Sequence, residues 1–199
     1  MTQRTDRTAP TDAPVLDVVA GRWSPRIFDR SSPVDEDALR SALEAARWAP
    51  SAFNRQPWRF LLARRGGPAH ATVLDSLIEF NRGWAKDAAA LVVIVAEATD
   101  ADGNVLPEAR YDAGQAAAYF TIQAHANDLL VHQMSGFDPA AVAEAFSLDE
   151  GLVPLTVVAV GVLGDVTGDG ADGVDAAVLE RENAPRTRRP LTDSVLVDG

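Results

Sequence analysis

Apolar residues recur along this chain with two distinct periods, and the change from one period to the other lays out its elements. Over 33–48, Leu39, Ala42, Leu43 and Ala46 fall at i, i+3, i+4 and i+7, the spacing of one helical face. Asp35, Glu36 and Asp37 open that segment, where negative charge complements the helix dipole. A shorter helix is expected over 14–22, with Pro14 at its first position and Val15, Leu16, Val18 and Val19 as its apolar side. Val73, Leu74, Leu77 and Ile78 stripe another helix, and 139–146 a short one. The segment 109–131 reads as one long alanine-rich helix. Its small residues Ala113, Ala116, Ala117 and Ala124 allow close approach of another helix or another subunit.

Between these helical stretches lie runs of a different kind. Residues 58–64 read as a strand, and 91–96 and 154–163 are continuous aliphatic runs, the mark of strands covered on both faces. Residues 195–197 could add an edge strand. The pattern is that of one α+β domain over 13–199, preceded by a polar stretch, 1–12, read as a disordered tail. No internal repeat is visible. No apolar run approaches the roughly 20 residues of a membrane span, and the first residues lack the apolar core of a secretory signal.

Composition narrows the chemistry. The 199 residues are 47% hydrophobic, enough for a real core, and contain no cysteine. That excludes a disulfide framework, a thiol nucleophile and cysteine-ligated metal, and makes a reducing cytoplasm the simplest location. The formal net charge of −11 disfavours nucleic acid as a partner. Only Lys86 is a lysine, so 17 of the 18 basic residues are arginines. Two groups of them stand out: Arg22 and Arg26 bracket Ser24 just after a helix end, and Arg186, Arg188 and Arg189 follow an acidic region. Arginine forks and a hydroxyl suit a phosphate or carboxylate. A solvated pair on a surface loop is the plainer reading of the first group.

The segment 49–58 packs Pro50, Ser51, Ala52, Phe53, Asn54, Arg55, Gln56, Pro57 and Trp58 between a helix and a strand. Two prolines stiffen it and bias the residues before them towards extended backbone. Read alone, it is either a well-packed turn or a rigid wall for a flat, polar-edged ligand. Other candidates fail. His125 and His132, seven apart, lack acidic or thiol companions at ligand spacing. The Gly/Asp-rich stretch 164–175 places Ala176 where a calcium loop needs its bidentate glutamate. The glycine-rich dinucleotide and triphosphate loops, the esterase elbow and the zinc-protease helix are all absent from the sequence. No nucleophile–base pair emerges, so the hard chemistry of any enzyme here falls to a cofactor.

Taken in order, Arg22-x-Ser24-x-Arg26, the string from Ala49 to Trp58, Asn81, the run Met134-Ser135-Gly136-Phe137-Asp138, the valine-rich strand ending in Gly161, and Arg186-x-Arg188 resemble the nitroreductase family of FMN-dependent oxidoreductases. The resemblance spans residues 14–191. It implies an α+β fold with a central, mainly antiparallel sheet flanked by helices. It also implies an intertwined homodimer with FMN in two interface pockets, NADH or NADPH as electron donor, and a small-molecule nitro, quinone or similar acceptor reduced by ping-pong transfer. Carried over by position, Arg22, Ser24 and Arg26 would face the FMN phosphate, ribityl chain or polar edge, and Arg186 and Arg188 would close on the phosphate. Pro50, Ser51, Ala52, Asn54 and Gln56 would come from the partner subunit. Asn81 would address the pyrimidine edge, and Met134, Ser135 and Gly136 the N5 side. No side chain is assigned as catalytic. Alternatives are a non-catalytic flavin-binding scaffold, or a flavin dehydrogenase or dehalogenase of the same fold. Departures from the family pattern are Asn127-Asp128-Leu129 before the 131–134 stretch, Ser135 beside N5, and a short 97–108 loop.

Overall fold

The computed structural model describes residues 7–165 and 174–197. Its centre is a four-stranded sheet of β1 (Trp58–Arg64), β2 (Ala90–Glu97), β3 (Leu130–Met134) and β4 (Leu152–Gly161), in the order β1-β2-β4-β3. Every neighbouring pair is antiparallel. The mainly antiparallel α+β arrangement expected from the sequence is therefore present.

The aliphatic runs behave as their patterning requires. Successive strand residues point to opposite faces, so β2 feeds two cores at once. Ala90, Val92, Ile94 and Ala96 face α2 (Glu36–Arg47) and α5 (Ala109–Ala126). Leu91, Val93 and Val95 face the opposite layer. That layer holds α3 (Pro68–Asp75), α4 (Glu79–Ala85), α6 (Pro139–Ala145) and α7 (Ala176–Asn183), together with Trp23, Ile27 and Phe28, which follow the short α1 (Asp17–Gly21). The register slips between Ile94 and Val95, where Pro154 enters β4; proline has no N–H to give a ladder and sits naturally at such an irregularity.

Helix starts follow local chemistry. Asp35 caps α2 by accepting from the N–H groups of Asp37 and Ala38, both at 3.0 Å. It thus stands just outside the helix it was expected to open. The stripe expected around Val73–Ile78 divides into α3 and α4, with Leu77 bridged to Phe137 between them.

The main correction concerns 109–131. Helix α5 stops at Ala126, Asn127 caps it, and Asp128 takes a positive φ of 60°. Short polar side chains tolerate that left-handed conformation, which ends a helix. The Leu129 N–H closes on the Ala124 carbonyl at 2.9 Å, and the chain turns straight into β3. An aliphatic stretch read as the last helical turn is thus an edge strand. The segment 195–197 carries no strand, and follows a short 3₁₀ turn at Leu191–Ser194. Most of the acidic stretch 164–175 lies outside the described residues. No helix among the described residues is long and apolar enough to cross a membrane.

Candidate functional site: an arginine-lined pocket

The link from α1 to the first core residues and the link leaving α7 are far apart in sequence and adjacent in space. Together they enclose a cavity of about 430 Å³. Arg22, Ser24 and Arg26 line it from one side, Arg186 and Arg188 from the other, and Arg7, Arg181, Glu182 and His132 complete it. All five residues of the two predicted arginine motifs therefore meet in one place.

The charges there are poorly compensated. Burial, then the neighbouring Arg188, lowers the pKa of Arg22. Arg26 is lowered by burial and by Arg181, against the opposing pull of Glu182. Burial, Arg22, Arg188 and Arg7 lower Arg186. Glu182 is the buried carboxylate of the cluster, 4% exposed, yet its oxygens are committed elsewhere: Oε1 accepts from Trp23 Nε1 at 3.1 Å, and Oε2 from the Arg26 backbone N–H at 2.7 Å. The Nε atoms of Arg26 and Arg7 are buried without a hydrogen-bond partner. Buried polar atoms are normally satisfied. A pocket with crowded cations and unused donors fits an anionic group.

The arginines do not share one task. Arg186 spends its guanidinium on backbone, donating to the carbonyls of Arg7, Ala20 (2.7 Å) and Arg22 (2.6 Å). It fastens three strands of chain. Among the described residues, Arg188 donates to the adjacent Thr187 carbonyl alone, at 2.8 Å, and Arg22 forms no side-chain hydrogen bond. Arg22 and Arg188 are the free forks. Arg186, predicted as an anion ligand, also clamps these segments, while still lining the pocket with N–H groups to spare.

His132 lies beneath this pocket on β3. Its Nδ1 is 2.9 Å from the Pro25 carbonyl, and its ring is tilted against Trp84 at 4.7 Å. Burial, then the Arg26 charge, pushes its pKa down from 6.5 to about 4, so the imidazole is neutral at pH 7. A depressed native pKa means the unfolded chain binds the proton first as pH falls. The stability contributed is complete above pH 6.5 and is lost as pH drops towards 4, by about 3 kcal/mol in total. Denaturant unfolding at pH 7 and pH 5 checks this. The wild-type chain should lose more stability over that interval than a His132→Asn variant, and equal losses would refute it.

A second group gathers at the end of β3. Asn81 on α4 donates its Nδ2 to the Gly136 carbonyl at 3.1 Å. A Cβ on Gly136 would stand 2.7 Å from that same Nδ2 and from Ile78 Cδ1, so only glycine allows this approach. Met134 is buried, with its carbonyl accepting from Thr156 Oγ1 at 2.9 Å, while Ser135 is exposed. Asn81, Met134, Ser135 and Gly136 thus form one edge. Trp84, one turn along α4 from Asn81, packs against His132, which lines the arginine pocket.

The loop 50–56 lies elsewhere. The Ala52 N–H donates to buried Asp112 at 3.0 Å, and Gln115 reaches the Pro50 carbonyl at 3.4 Å, both near the start of α5. The arginine pocket sits near the other end of α5, where His125 meets Trp23 edge-on. At 1.5 Å per residue, the 13 residues from Asp112 to His125 separate the two places by about 20 Å. Within one chain, Pro50, Ser51, Ala52, Asn54 and Gln56 do not join the other predicted residues. Gln56 instead borders a groove between α2 and β1.

That loop is rigid in a different way from the one its prolines suggest. Phe53, Asn54 and Gln56 all have positive φ, between 52° and 54°, and Gln56, preceding Pro57, departs from the extended bias. Such backbone costs energy unless its surroundings hold it, and it concentrates at functional positions. Here Ser51 Oγ accepts from the Gln56 N–H at 3.0 Å, and Gln56 Nε2 donates to the Asn54 carbonyl at 3.1 Å. Phe53, 90% exposed, projects from it.

Sequence reading passed over Glu182, Trp23 and Asp112. None belongs to a recognisable motif; each matters because it is buried beside a residue that does. Arg7 fell within the expected disordered tail. The structure describes that stretch from residue 7 onward, with Arg7 packed against the far end of the chain.

Known proteins share this architecture. A crystal structure described as an oxidoreductase containing FMN is similar over 94% of this chain and 93% of its own, with a TM-score of 0.86 and 32% identity. An uncharacterised 15.4 kDa protein from Mycolicibacterium smegmatis is 36% identical over 140 residues, covering 67% of this chain and 90% of that one. An NADH dehydrogenase from Thermus thermophilus is 38% identical over 90 residues, covering 44% and 42% respectively. The family model described as Nitroreductase family matches residues 19–82 and 66–162. That match runs from the first arginine motif through the last strand of the sheet, and the chain belongs to the nitroreductase family.

Proposed function

We propose that this chain is a homodimeric FMN-dependent oxidoreductase of the cytoplasm. It would take hydride from NADH or NADPH and pass electrons, in a ping-pong cycle, to a small-molecule acceptor such as a nitro compound or quinone. The observation that carries the reading is the convergence of Arg22, Arg26, Arg186 and Arg188 on one pocket with unused buried donors, connected through Trp84 to the Asn81–Gly136 edge. An arginine cradle at one end and an amide-bearing edge at the other suit a ligand with a phosphate and a polar ring.

FMN, when bound, supplies the electron carrier that no side chain of this protein provides. The chain's own residues bind and orient. Arg22 and Arg188 meet the phosphate with charge-assisted hydrogen bonds, and Arg26 adds its positive charge to the lining. Glu182 and Arg186 hold those arginines in place. Asn81, fixed by Gly136, presents its amide to the ring's polar edge. The strained loop with Ser51, Asn54 and Gln56 serves the other subunit's pocket, since it stands about 20 Å from its own. Large exposed apolar residues at Trp48, Phe53, Tyr111 and Leu196 support a partner copy covering these faces.

Anaerobic titration of the FMN-loaded protein tests this. Either NADH or NADPH should bleach the flavin absorbance, and a nitro or quinone acceptor should restore it. Flavin absorbance that neither nucleotide changes would refute the oxidoreductase reading.

A further inference from the structure

The family match begins at residue 19, and the arm before it enters the arginine pocket. We propose that Arg7 is a further anion-contacting residue of this site, its guanidinium turned to the phosphate of the bound flavin from the arm 7–12. The inference rests on the FMN reading above.

Three observations carry it. First, the arm is tied down at both ends of the chain. The Ala9 N–H donates to the Ala20 carbonyl at 2.9 Å, and Asp12 Oδ2 accepts from the Leu191 N–H at 2.9 Å. Arg186 donates to the Arg7 carbonyl, so the clamp that fastens the C-terminal strap also fastens this arm.

Second, the Arg7 guanidinium is held in one plane. Its Nη1 donates to the Glu182 carbonyl and its Nη2 to the Ala184 carbonyl at 3.1 Å. Its centre lies 5.8 Å from the Trp23 ring centroid, within the range of a cation–π contact. Each terminal nitrogen keeps a second N–H to donate.

Third, the Arg7 Nε is buried, unpartnered and part of a residue lining the pocket. Ordering an arm and burying a cation beside Arg186 is unfavourable in itself. An anion in the cavity offsets the crowding of Arg7, Arg22, Arg186 and Arg188. Arg7 then belongs to the cofactor site, with the arm 7–12 holding it there.

Comparing FMN with riboflavin, which lacks the phosphate, tests the assignment. Arg7→Ala should weaken FMN about tenfold, the worth of one charge-assisted hydrogen bond, and leave riboflavin affinity unchanged. Arg7→Met guards against loss of folding, since it keeps an unbranched stem against Trp23 without a charge or an N–H donor, and should show the same selective loss. Thermal melting of both apo-variants confirms that they fold. Unchanged FMN affinity overturns the assignment. Equal weakening of both flavins also overturns it, because Arg7 would then act only as a strap. A wild-type chain that takes up neither flavin refutes the FMN reading itself.

Discussion

Replacing Arg22 and Arg188 together by alanine should strip FMN from the protein and leave its fold intact. The two guanidiniums reach the same cavity from opposite chain ends, and neither fastens the backbone. Among the described residues, Arg188 bonds only its neighbour's carbonyl. Each charge-assisted contact contributes about 1.5–3 kcal/mol, so loss of both lowers FMN affinity by roughly a hundredfold or more. Arg188 lowers the pKa of Arg22, and both lower that of Arg186, so removing these two like charges costs the fold little, on the order of 0.5 kcal/mol. The purified double variant should be colourless, with a melting curve close to that of wild-type apo-protein. Arg186→Ala behaves differently. It releases the carbonyls of Arg7, Ala20 and Arg22, so it lowers stability as well as affinity. A yellow double variant would contradict the division of labour between the free forks and the clamp.

Glu182→Ala has the largest expected effect on stability. The carboxylate is buried and accepts from both Trp23 Nε1 and the Arg26 N–H. Hydrogen bonds to a charged acceptor contribute more than neutral ones, and a donor left buried without a partner carries its own desolvation penalty; together the loss is about 3 kcal/mol. The variant also removes the negative charge nearest to Arg26, so the remaining cations repel one another unopposed. Urea unfolding should give a lower midpoint with an unchanged slope, and FMN titration a weaker complex. Glu182→Gln retains one acceptor oxygen and should fall between the two. A midpoint equal to that of wild type would remove Glu182 from its place as the pocket's central support.

Much of the fold was legible because its signals are local. The aliphatic runs in β2 and β4 could be read as doubly covered strands because both faces of those strands meet a core. Leu39, Ala42 and Ala46 announced α2 by their stripe, and Asp35, Glu36 and Asp37 by negative charge at its start. What misled was a boundary: nothing in the hydrophobic pattern separates Ala126 from Leu129, and only the left-handed Asp128 ends the helix there. At the site, the arginine motifs were visible as composition, and the structure brings Arg22, Ser24, Arg26, Arg186 and Arg188 into one cavity. Their separate tasks were not visible. Whether a guanidinium faces a cavity or three carbonyls is decided by tertiary packing, and so Arg186 reads in sequence like Arg188. Glu182 and Arg7 were hidden for the same reason: a buried carboxylate in an acidic stretch and an arginine in a polar tail look like any other charged surface residue. The loop 50–56 stood out through its prolines, but its strain lies at Phe53, Asn54 and Gln56, where residue type alone gives no warning.

The central claim is that the two ends of this chain build the phosphate end of a flavin site. A crystal structure of the protein grown with FMN tests it most directly. The account predicts the phosphate between Arg22 and Arg188, within hydrogen-bond distance of both, with the ring's polar edge at Asn81 and the 50–56 loop of a second copy against it. A phosphate bound elsewhere, with the arginine pocket unchanged, would contradict it.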